Sequence, residues 1–248
     1  MTTMWDKLRL IAAHALRFAE EMVFPSDVLC LACSRALGED AEMGVCPACM
    51  DALARLRDKQ ASLEPDEECP PDGIDYVSAA YPYEGEARAL IRRLKFDSVR
   101  AAALPLAEEM AYLDSAEEEL IVPVPTDERR RKKRGFNQST LLSQHMGKTL
   151  GMPVREALMR TESRAPQRGL NAEQRKRNLV GCMIADESVR GRRVLLIDDI
   201  YTTGATVSEA ARALRAAGAK SVGVVCAART LPDAADKGVP FALYMRKN

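Results

Sequence analysis

The stretch "VLLIDDIYTTGATVSEA", residues 194–210, decides the fold. Its four apolar residues, Val194 to Ile197, form the continuous run typical of a strand that is buried on both faces. Two carboxylates, Asp198 and Asp199, follow directly, and small residues then lead into an alanine-rich stretch. We therefore expect a parallel strand, a loop at its carboxyl end and a helix that packs back on the sheet.

The same alternation of strand and helix patterns extends outward from this stretch. Strands alternating with helices predict an α/β fold, with a parallel sheet flanked by helices on both faces. We expect strands at residues 76–83, 120–124, 193–197 and 221–226, and helices at residues 86–113, 137–150 and 206–217. Gly151 and Gly218 are the predicted ends of the last two helices.

Composition excludes several classes of protein. With 47% hydrophobic and 29% charged residues, the chain is neither disordered nor fibrous. Lys plus Arg (36) equals Asp plus Glu (36), so any affinity for a polyanion must come from a local patch. No apolar run is long enough to cross a bilayer, and no secretory signal is recognisable. We expect a cytoplasmic protein without a transmembrane segment.

Residues 1–25 carry one apolar stripe at helical spacing, which predicts a helix lying on protein. A membrane-surface helix is the alternative, but its polar face lacks the excess of lysine and arginine that would favour it.

Four cysteines follow this helix as two C-x2-C pairs separated by twelve residues: Cys30, Cys33, Cys46 and Cys49. Such spacing lets four thiolates meet at a tetrahedral centre, so we predict a structural Zn²⁺ site. Reduced thiols or a redox pair are the alternative. The other cysteines, Cys69, Cys182 and Cys226, are interpreted as buried or incidental thiols.

A polar, proline-rich segment, "RDKQASLEPDEECPPDG", divides the chain. We predict an amino-terminal helix and zinc module over residues 1–56, a linker over 57–73 and a larger domain over 74–248.

The loop after the acids has the features of a phosphate site. Gly204 and its small neighbours allow backbone amides to approach an anion, and the amino terminus of the next helix favours negative charge. The acids would repel that phosphate unless a sugar lay between them, with its hydroxyls donating to Asp198 and Asp199. Mg²⁺ would reduce the repulsion further. Acids that merely cap the next helix are the alternative.

"VLLIDDIYTTGAT" resembles the phosphoribosyl-pyrophosphate (PRPP) motif of the type I phosphoribosyltransferases. The resemblance implies that Asp198 and Asp199 hold the ribose hydroxyls. It also implies that the loop binds the 5′-phosphate through Thr202, Thr203, Gly204, Ala205 and Thr206.

A second stretch, "VPVPTDERRRKKRGFNQS" at residues 122–139, combines a proline turn with six consecutive cations, Arg129 to Arg134. A charge run is usually a solvated face. This run, however, follows a strand end and stops at the irregular set Gly135 to Gln138, which favours a ligand-binding role. In related transferases a turn like the one from Pro123 to Asp127 cradles pyrophosphate, which implies that Pro123, Val124 and Pro125 bind PRPP.

The order of motifs resembles the ComF family of competence-associated phosphoribosyltransferase-like proteins over nearly the whole chain. The motifs are the cysteine pairs, "YPYEGEARALIRRLKF", "VPVPTDERRRKKRGFNQS", "RTESRAPQRGLNAEQRKRNL" and the PRPP motif. The individual matches are Tyr83, Gly85, Lys95, Phe96, Arg131, Arg134, Gly135, Asn137, Gln138, Arg160, Gln167, Leu170, Arg175 and Asn178. Met183 departs from the aromatic residue usual in the family. Residues 161–171 are the candidate for a flap over the site, with a plain surface hairpin as the alternative.

The resemblance implies transfer of a phosphoribosyl group from PRPP to an unidentified acceptor, which residues 74–115 would select. Asp198, Asp199, Arg131 and Arg134 are the expected catalytic residues, acting with Mg²⁺. Neither His14 nor His145 is interpreted as a general base. The alternative is a non-catalytic adaptor of the competence machinery that senses PRPP or binds single-stranded DNA through the basic block and the zinc module.

Overall fold

A computed structural model of the protein describes residues 29–63, 70–113, 117–161 and 181–231. The helix predicted over residues 1–25 lies outside these ranges. Within the described ranges, no helix combines the length and the apolar character that crossing a membrane requires.

The described elements alternate between helix and strand along most of the chain. In order they are α1 (Pro47–Ala61), β1 (Tyr76–Pro82), α2 (Gly85–Phe96), α3 (Ala103–Ala111), β2 (Leu120–Pro123), α4 (Glu128–Arg134), α5 (Gln138–Leu150), β3 (Leu158–Arg160), β4 (Met183–Ala185), β5 (Arg193–Tyr201), α6 (Ala205–Ala216) and β6 (Ser221–Arg229).

The central sheet has four strands in the order β1-β6-β5-β2, and every neighbouring pair is parallel. The carboxyl ends of all four strands therefore meet at one edge, which we call the C-edge. Strands β3 and β4 form a separate antiparallel pair. The predicted parallel sheet flanked by helices is confirmed.

The sheet is buried on both faces, as the apolar run in β5 predicts. Leu195 and Ile197 belong to one hydrophobic cluster together with residues of α2, α3 and α5. Val194 and Leu196 point the other way, into a cluster with residues of α6. Because helices cover both faces, only the edges of the sheet can bind a ligand.

The helix predicted over residues 86–113 is in fact two helices. Helix α2 ends at Phe96, Asp97 is its C-cap, and Ser98 has a left-handed φ of 58°. A short 3-10 turn then leads into α3. The apolar spacing continues through the break, which is why the sequence pattern did not reveal it.

The basic block forms a helix, α4, that is not among the helices predicted from the sequence. The carboxylate of Asp127 accepts hydrogen bonds from the N–H groups of Arg129 and Arg130, which caps α4. Gly135 ends the helix with a φ of 80°. Strands β5 and β6 also extend beyond their predicted ends, because pairing continues to Tyr201 and Arg229.

Helix α1 connects the cysteine region to the sheet. It runs to Ala61, inside the predicted linker, and its Cys49 and Leu53 are buried in the same cluster as Tyr76 and Tyr81 of β1. The boundary between a zinc module and a larger domain stays a prediction.

Candidate functional site

Asp198 lies at the C-edge, in register with Cys226 of β6. Its Oδ1 accepts hydrogen bonds from Ser139 Oγ at 3.1 Å and from the N–H of Asp199 at 2.9 Å. Burial and the charge of Asp199 raise the pKa of Asp198 to about 7, although Lys95 and the two hydrogen-bond donors act in the opposite direction. At neutral pH the acid pair therefore carries fewer than two full negative charges.

Asp199 is ion-paired to a lysine of helix α2. Lys95 Nζ is 2.8 Å from Asp199 Oδ1, and the two side chains are only 18% and 13% exposed. Lys95 is one of the residues that match the ComF-family pattern in the sequence, but the sequence did not predict a role for it. A contact between residues so distant in the chain leaves no local signal.

Arg134, at the end of α4, lies near the same carboxylate. Burial lowers the pKa of the Arg134 guanidinium, and the charge of Asp199 partly offsets this effect. Its guanidinium carbon also lies 5.6 Å from the ring centre of Phe96, as does that of Arg92. The fold thus brings the predicted residue Arg134 to the acid pair.

The loop after β5 has the backbone geometry of an anion site. Gly204 has a φ of 72° and precedes the first residue of α6. A Cβ atom at this position would lie 2.4 Å from the Oη atom of Tyr201, so any other residue would have to displace Tyr201 and adopt a left-handed φ, which favours glycine. No side chain caps α6 among the described residues. The N–H groups of its first turn thus point to a loop whose Thr202 and Thr203 are exposed, while Ala205 is buried and Thr206 is half-buried.

A second loop, after β2, is tied to the acid pair. The N–H of Val124 donates to Ile197 O, and Val124 O accepts from Asn137 Nδ2, each at 2.9 Å. Asn137 Oδ1 in turn accepts from the N–H of Ser139, whose hydroxyl donates to Asp198. The loop after β2, the start of α5 and the end of β5 form one connected unit.

Arg131 lies on the outer side of this unit. It lines a small pocket together with Pro123, Pro125, Asn137 and Glu156. Arg131 is itself exposed, as are Arg129, Arg130, Lys132 and Lys133. Of these, Lys132 forms an exposed ion pair with Glu128 at 2.8 Å. Of the six cations, Arg131 lines the small pocket and Arg134 lies near the acid pair.

The four predicted zinc ligands come together in space. Their sulfur atoms all lie within 4.8 Å of one another, and Cys33 Sγ is 3.8 Å from Cys46 Sγ. A tetrahedron with Zn–S bonds of about 2.3 Å has S–S edges of about 3.8 Å, so the cluster fits Zn²⁺. Burial raises the pKa of Cys30, but N–H donors from Cys33, Cys46 and Ala32 outweigh it and lower the pKa to about 6. Burial and the neighbouring thiols raise the pKa of Cys49, so of these two thiols Cys30 is the one that favours the thiolate before metal binds.

The cysteine region contacts the C-edge through α1 and α2. Arg93 of α2 donates to the hydroxyl of Ser34, beside the cysteines. Lys59 Nζ lies 2.5 Å from Glu84 Oε1, just before α2. Gln60 Oε1 accepts a hydrogen bond from Arg229 Nε at 3.1 Å, and these two side chains are almost fully buried. Arg229 is the last residue of β6, so this hydrogen bond connects α1 directly to the C-edge.

Several predicted residues fall elsewhere. Most of the flap candidate lies outside the described residues, as do Gln167, Leu170, Arg175 and Asn178, and also His14 and Cys69. Arg160 ends β3, and Met183 is buried in β4. Burial lowers the pKa of His145 in α5. Cys182 and Cys226 are buried thiols.

Comparison with known proteins identifies the domain. The family model described as "Phosphoribosyl transferase domain" matches residues 101–239. DNA utilization protein YhgH of Escherichia coli (strain K12) is 36% identical over 213 residues, which covers 82% of this chain and 91% of that protein.

Two competence proteins match over shorter lengths. Competence protein F of Haemophilus influenzae is 36% identical over 110 residues, 43% of this chain and 48% of that protein. Competence protein ComFC of Bacillus subtilis is 29% identical over 142 residues, 55% of this chain and 56% of that protein.

Among solved structures, the glutamine PRPP amidotransferase from B. subtilis aligns with 52% of this chain and 26% of that chain. The identity is 22% and the TM-score 0.38. The family model covers more than half of the chain, and the E. coli relative covers most of it. The chain belongs to the ComF family of phosphoribosyltransferase-like proteins.

Proposed function

We propose that the protein binds PRPP at the C-edge and transfers its 5-phosphoribosyl group to an acceptor that is not yet identified. The observation that carries this proposal is the acid pair Asp198 and Asp199 near the end of β5, followed within a few residues by the amino terminus of α6, which starts after Gly204 and has no side-chain cap. This arrangement offers acceptors for sugar hydroxyls and donors for a phosphate within one loop.

Each part of PRPP has a matching group in the protein. Asp198 and Asp199 would accept hydrogen bonds from the ribose hydroxyls, and the N–H groups of residues 202–206 would hold the 5′-phosphate. The loop of Pro123, Val124 and Pro125 would face the pyrophosphate. Arg131 and Arg134 supply the positive charge near it.

In the proposed reaction, the bond between ribose C1 and the pyrophosphate oxygen breaks, and its electron pair leaves with pyrophosphate. The acceptor then bonds to C1 and releases its proton to solvent or to a base. The protein orients the sugar, excludes water and stabilises the leaving charge with arginine cations.

Mg²⁺, when bound, neutralises part of the pyrophosphate charge. Among the described residues, the four cysteines form the one cluster of three or more His, Cys, Asp or Glu ligands. Because Mg²⁺ in such sites is held mainly by substrate phosphates and one or two carboxylates, we infer that Mg²⁺ would enter the C-edge on the oxygens of PRPP.

The proposal is tested by calorimetric titration of Mg-PRPP into the wild-type protein and into the double variant Asp198→Asn, Asp199→Asn. We expect the double variant to bind at least about tenfold more weakly, because two hydroxyl acceptors lose their charge. The matched control is Asp51→Asn, Asp72→Asn, which neutralises two exposed carboxylates away from the C-edge. Equal binding by the wild type and the C-edge variant would contradict the assignment.

A second candidate function is a non-catalytic adaptor that senses PRPP or binds single-stranded DNA. Two observations favour it: relatives are named for DNA utilization and competence, and α4 presents exposed cations next to Phe96, which is 64% exposed. Pyrophosphate release with a panel of amines, weakened in the double variant, would support the enzyme. Single-stranded DNA binding that weakens steeply with salt, without such release, would support the adaptor.

A further inference from the structure

We propose that Lys95 is a positioning residue of the sugar site, which holds the Asp199 carboxylate in place for a ribose hydroxyl and links helix α2 to the acid pair. This inference rests on the proposed function. The family resemblance and the domain match assign no role to Lys95.

The position of Lys95 is set by the packing of its helix. Ala87, Leu90, Ile91 and Leu94 are buried against the sheet, so the rotation of α2 is fixed. Lys95 follows Leu94 at the border of this apolar face, in the last turn of the helix. Its side chain reaches from there to Asp199, at the far end of a strand that belongs to another part of the chain.

The ion pair is shielded enough to fix the geometry. An exposed pair is worth little, because water competes and both side chains lose freedom. The Lys95–Asp199 pair is 2.8 Å long with side chains less than one fifth exposed. A shielded pair at this distance holds both partners, and removal of one leaves the other charge uncompensated.

The surroundings of Asp199 leave Lys95 as its direct partner. The charge of Asp199 raises the pKa of Arg134, but the Arg134 guanidinium also lies over the ring of Phe96. Asp198 is bonded to Ser139, and the buried thiol of Cys226 on β6 is held neutral. Among the contacts described at this carboxylate, the 2.8 Å ion pair is the one that can orient it.

Holding Asp199 does not prevent it from binding a sugar. A carboxylate has two oxygen atoms and about four acceptor positions, so Oδ1 can keep Lys95 while the other oxygen accepts a hydroxyl. Lys95 would then set the direction of the free oxygen. A shift of α2 would change that direction, which connects the predicted acceptor-selecting region to the ribose.

The experiment measures sugar discrimination. Ribose 5-phosphate, 2-deoxyribose 5-phosphate and 3-deoxyribose 5-phosphate are titrated into the wild type, Lys95→Met and Lys95→Arg. We expect the wild type to prefer ribose 5-phosphate over at least one deoxy sugar by about tenfold, Lys95→Met to lose most of that preference, and Lys95→Arg to keep most of it. Arg88→Met is the matched control, since it removes one cation from the exposed face of the same helix.

A lysine that contacted the phosphates directly would weaken all three ligands alike in Lys95→Met, with the preference unchanged. That result would overturn the proposal. A correctly folded Lys95→Met protein that preferred ribose 5-phosphate as strongly as the wild type does would overturn it too. Thermal melting of each variant establishes folding before the titrations.

A second measurement separates this proposal from the function on which it rests. Acetic anhydride labelling, read by mass spectrometry, reports the reactivity of the Lys95 amine without any ligand. We expect labelling of Lys95 to be several-fold faster in Asp199→Asn than in the wild type, because the ion pair is lost. Equal rates would refute the ion pair itself, whereas slow wild-type labelling without sugar phosphate binding would refute the PRPP proposal and leave the ion pair as a purely structural contact.

Discussion

Asp198 is the residue whose ionisation should limit stability at neutral pH. Its pKa is raised to about 7 by burial and by Asp199, whereas in the unfolded chain it is near the ordinary aspartate value of about 3.9. Between these values the folded state binds the extra proton, so stability falls as pH rises from about 4 through about 7. We expect Asp198→Asn to raise the free energy of unfolding by about 2 kcal/mol at pH 8 and by much less at pH 5.

Denaturant unfolding of the wild type and of Asp198→Asn at both pH values checks this expectation. The amide oxygen of the substituted side chain could still accept the hydrogen bonds from Ser139 and Asp199. A stability gain that is the same at pH 5 and pH 8 would contradict the ionisation argument. Asp72→Asn, at an exposed carboxylate, should show no such pH dependence.

At the scale of the element, the start of helix α6 depends on Gly204. An alanine there would adopt a left-handed φ and also place its Cβ against the Tyr201 side chain. We expect Gly204→Ala to lower the free energy of unfolding by about 2–3 kcal/mol and to weaken Mg-PRPP binding. Gly151 also has a left-handed φ, 66°, but no atom within 4 Å of the added Cβ.

Gly151→Ala therefore tests backbone strain without the steric clash that an alanine at position 204 makes with Tyr201. We expect it to lower the free energy of unfolding by about 1 kcal/mol. Thermal melting of the two variants in parallel makes the comparison. Equal losses of stability in Gly204→Ala and Gly151→Ala would mean that the Tyr201 side chain moves aside without an energetic cost.

At the scale of the whole molecule, we expect the four-cysteine cluster with Zn²⁺ bound and the sheet to unfold together. Cys30 and Cys49 are buried in the same hydrophobic cluster as Leu195 and Ile197, at the centre of the sheet. We expect a zinc chelator to lower the midpoint of thermal unfolding by about 10 °C in a single transition, because several kcal/mol of metal-binding energy are lost. Calorimetry with and without chelator measures this shift.

Restoration of the midpoint by added Zn²⁺ is the control. A separate low-temperature transition that disappears with chelator, while the main transition stays unchanged, would instead mean that the cysteine region unfolds on its own.

The sequence predicted the elements that are encoded locally. The apolar run of β5, the glycine before α6 and the paired cysteines each carry their signal within a few residues, and the described structure confirms the strand, the helix and the cluster. The sequence missed what depends on distant partners. The Lys95–Asp199 pair and the Gln60–Arg229 hydrogen bond join residues whose proximity only the folded sheet creates.

Other errors came from competing local signals. Apolar spacing that continues past Asp97 hid the break between α2 and α3, because periodicity reports a buried face and not the continuity of the backbone. Helix α4 was not among the predicted helices, although the Asp127 cap and the Gly135 end that bound it are local signals in the sequence.

The hydrogen bond between Gln60 and Arg229 limits how segments of related proteins can be combined in a chimera. Each side chain is almost fully buried and satisfies part of the other's hydrogen-bonding capacity. A chimera that joins the cysteine region of one relative to the sheet of another would need to transfer both positions together. Otherwise a guanidinium would be enclosed opposite a mismatched neighbour, and we expect the hybrid to be destabilised at the junction beside the C-edge.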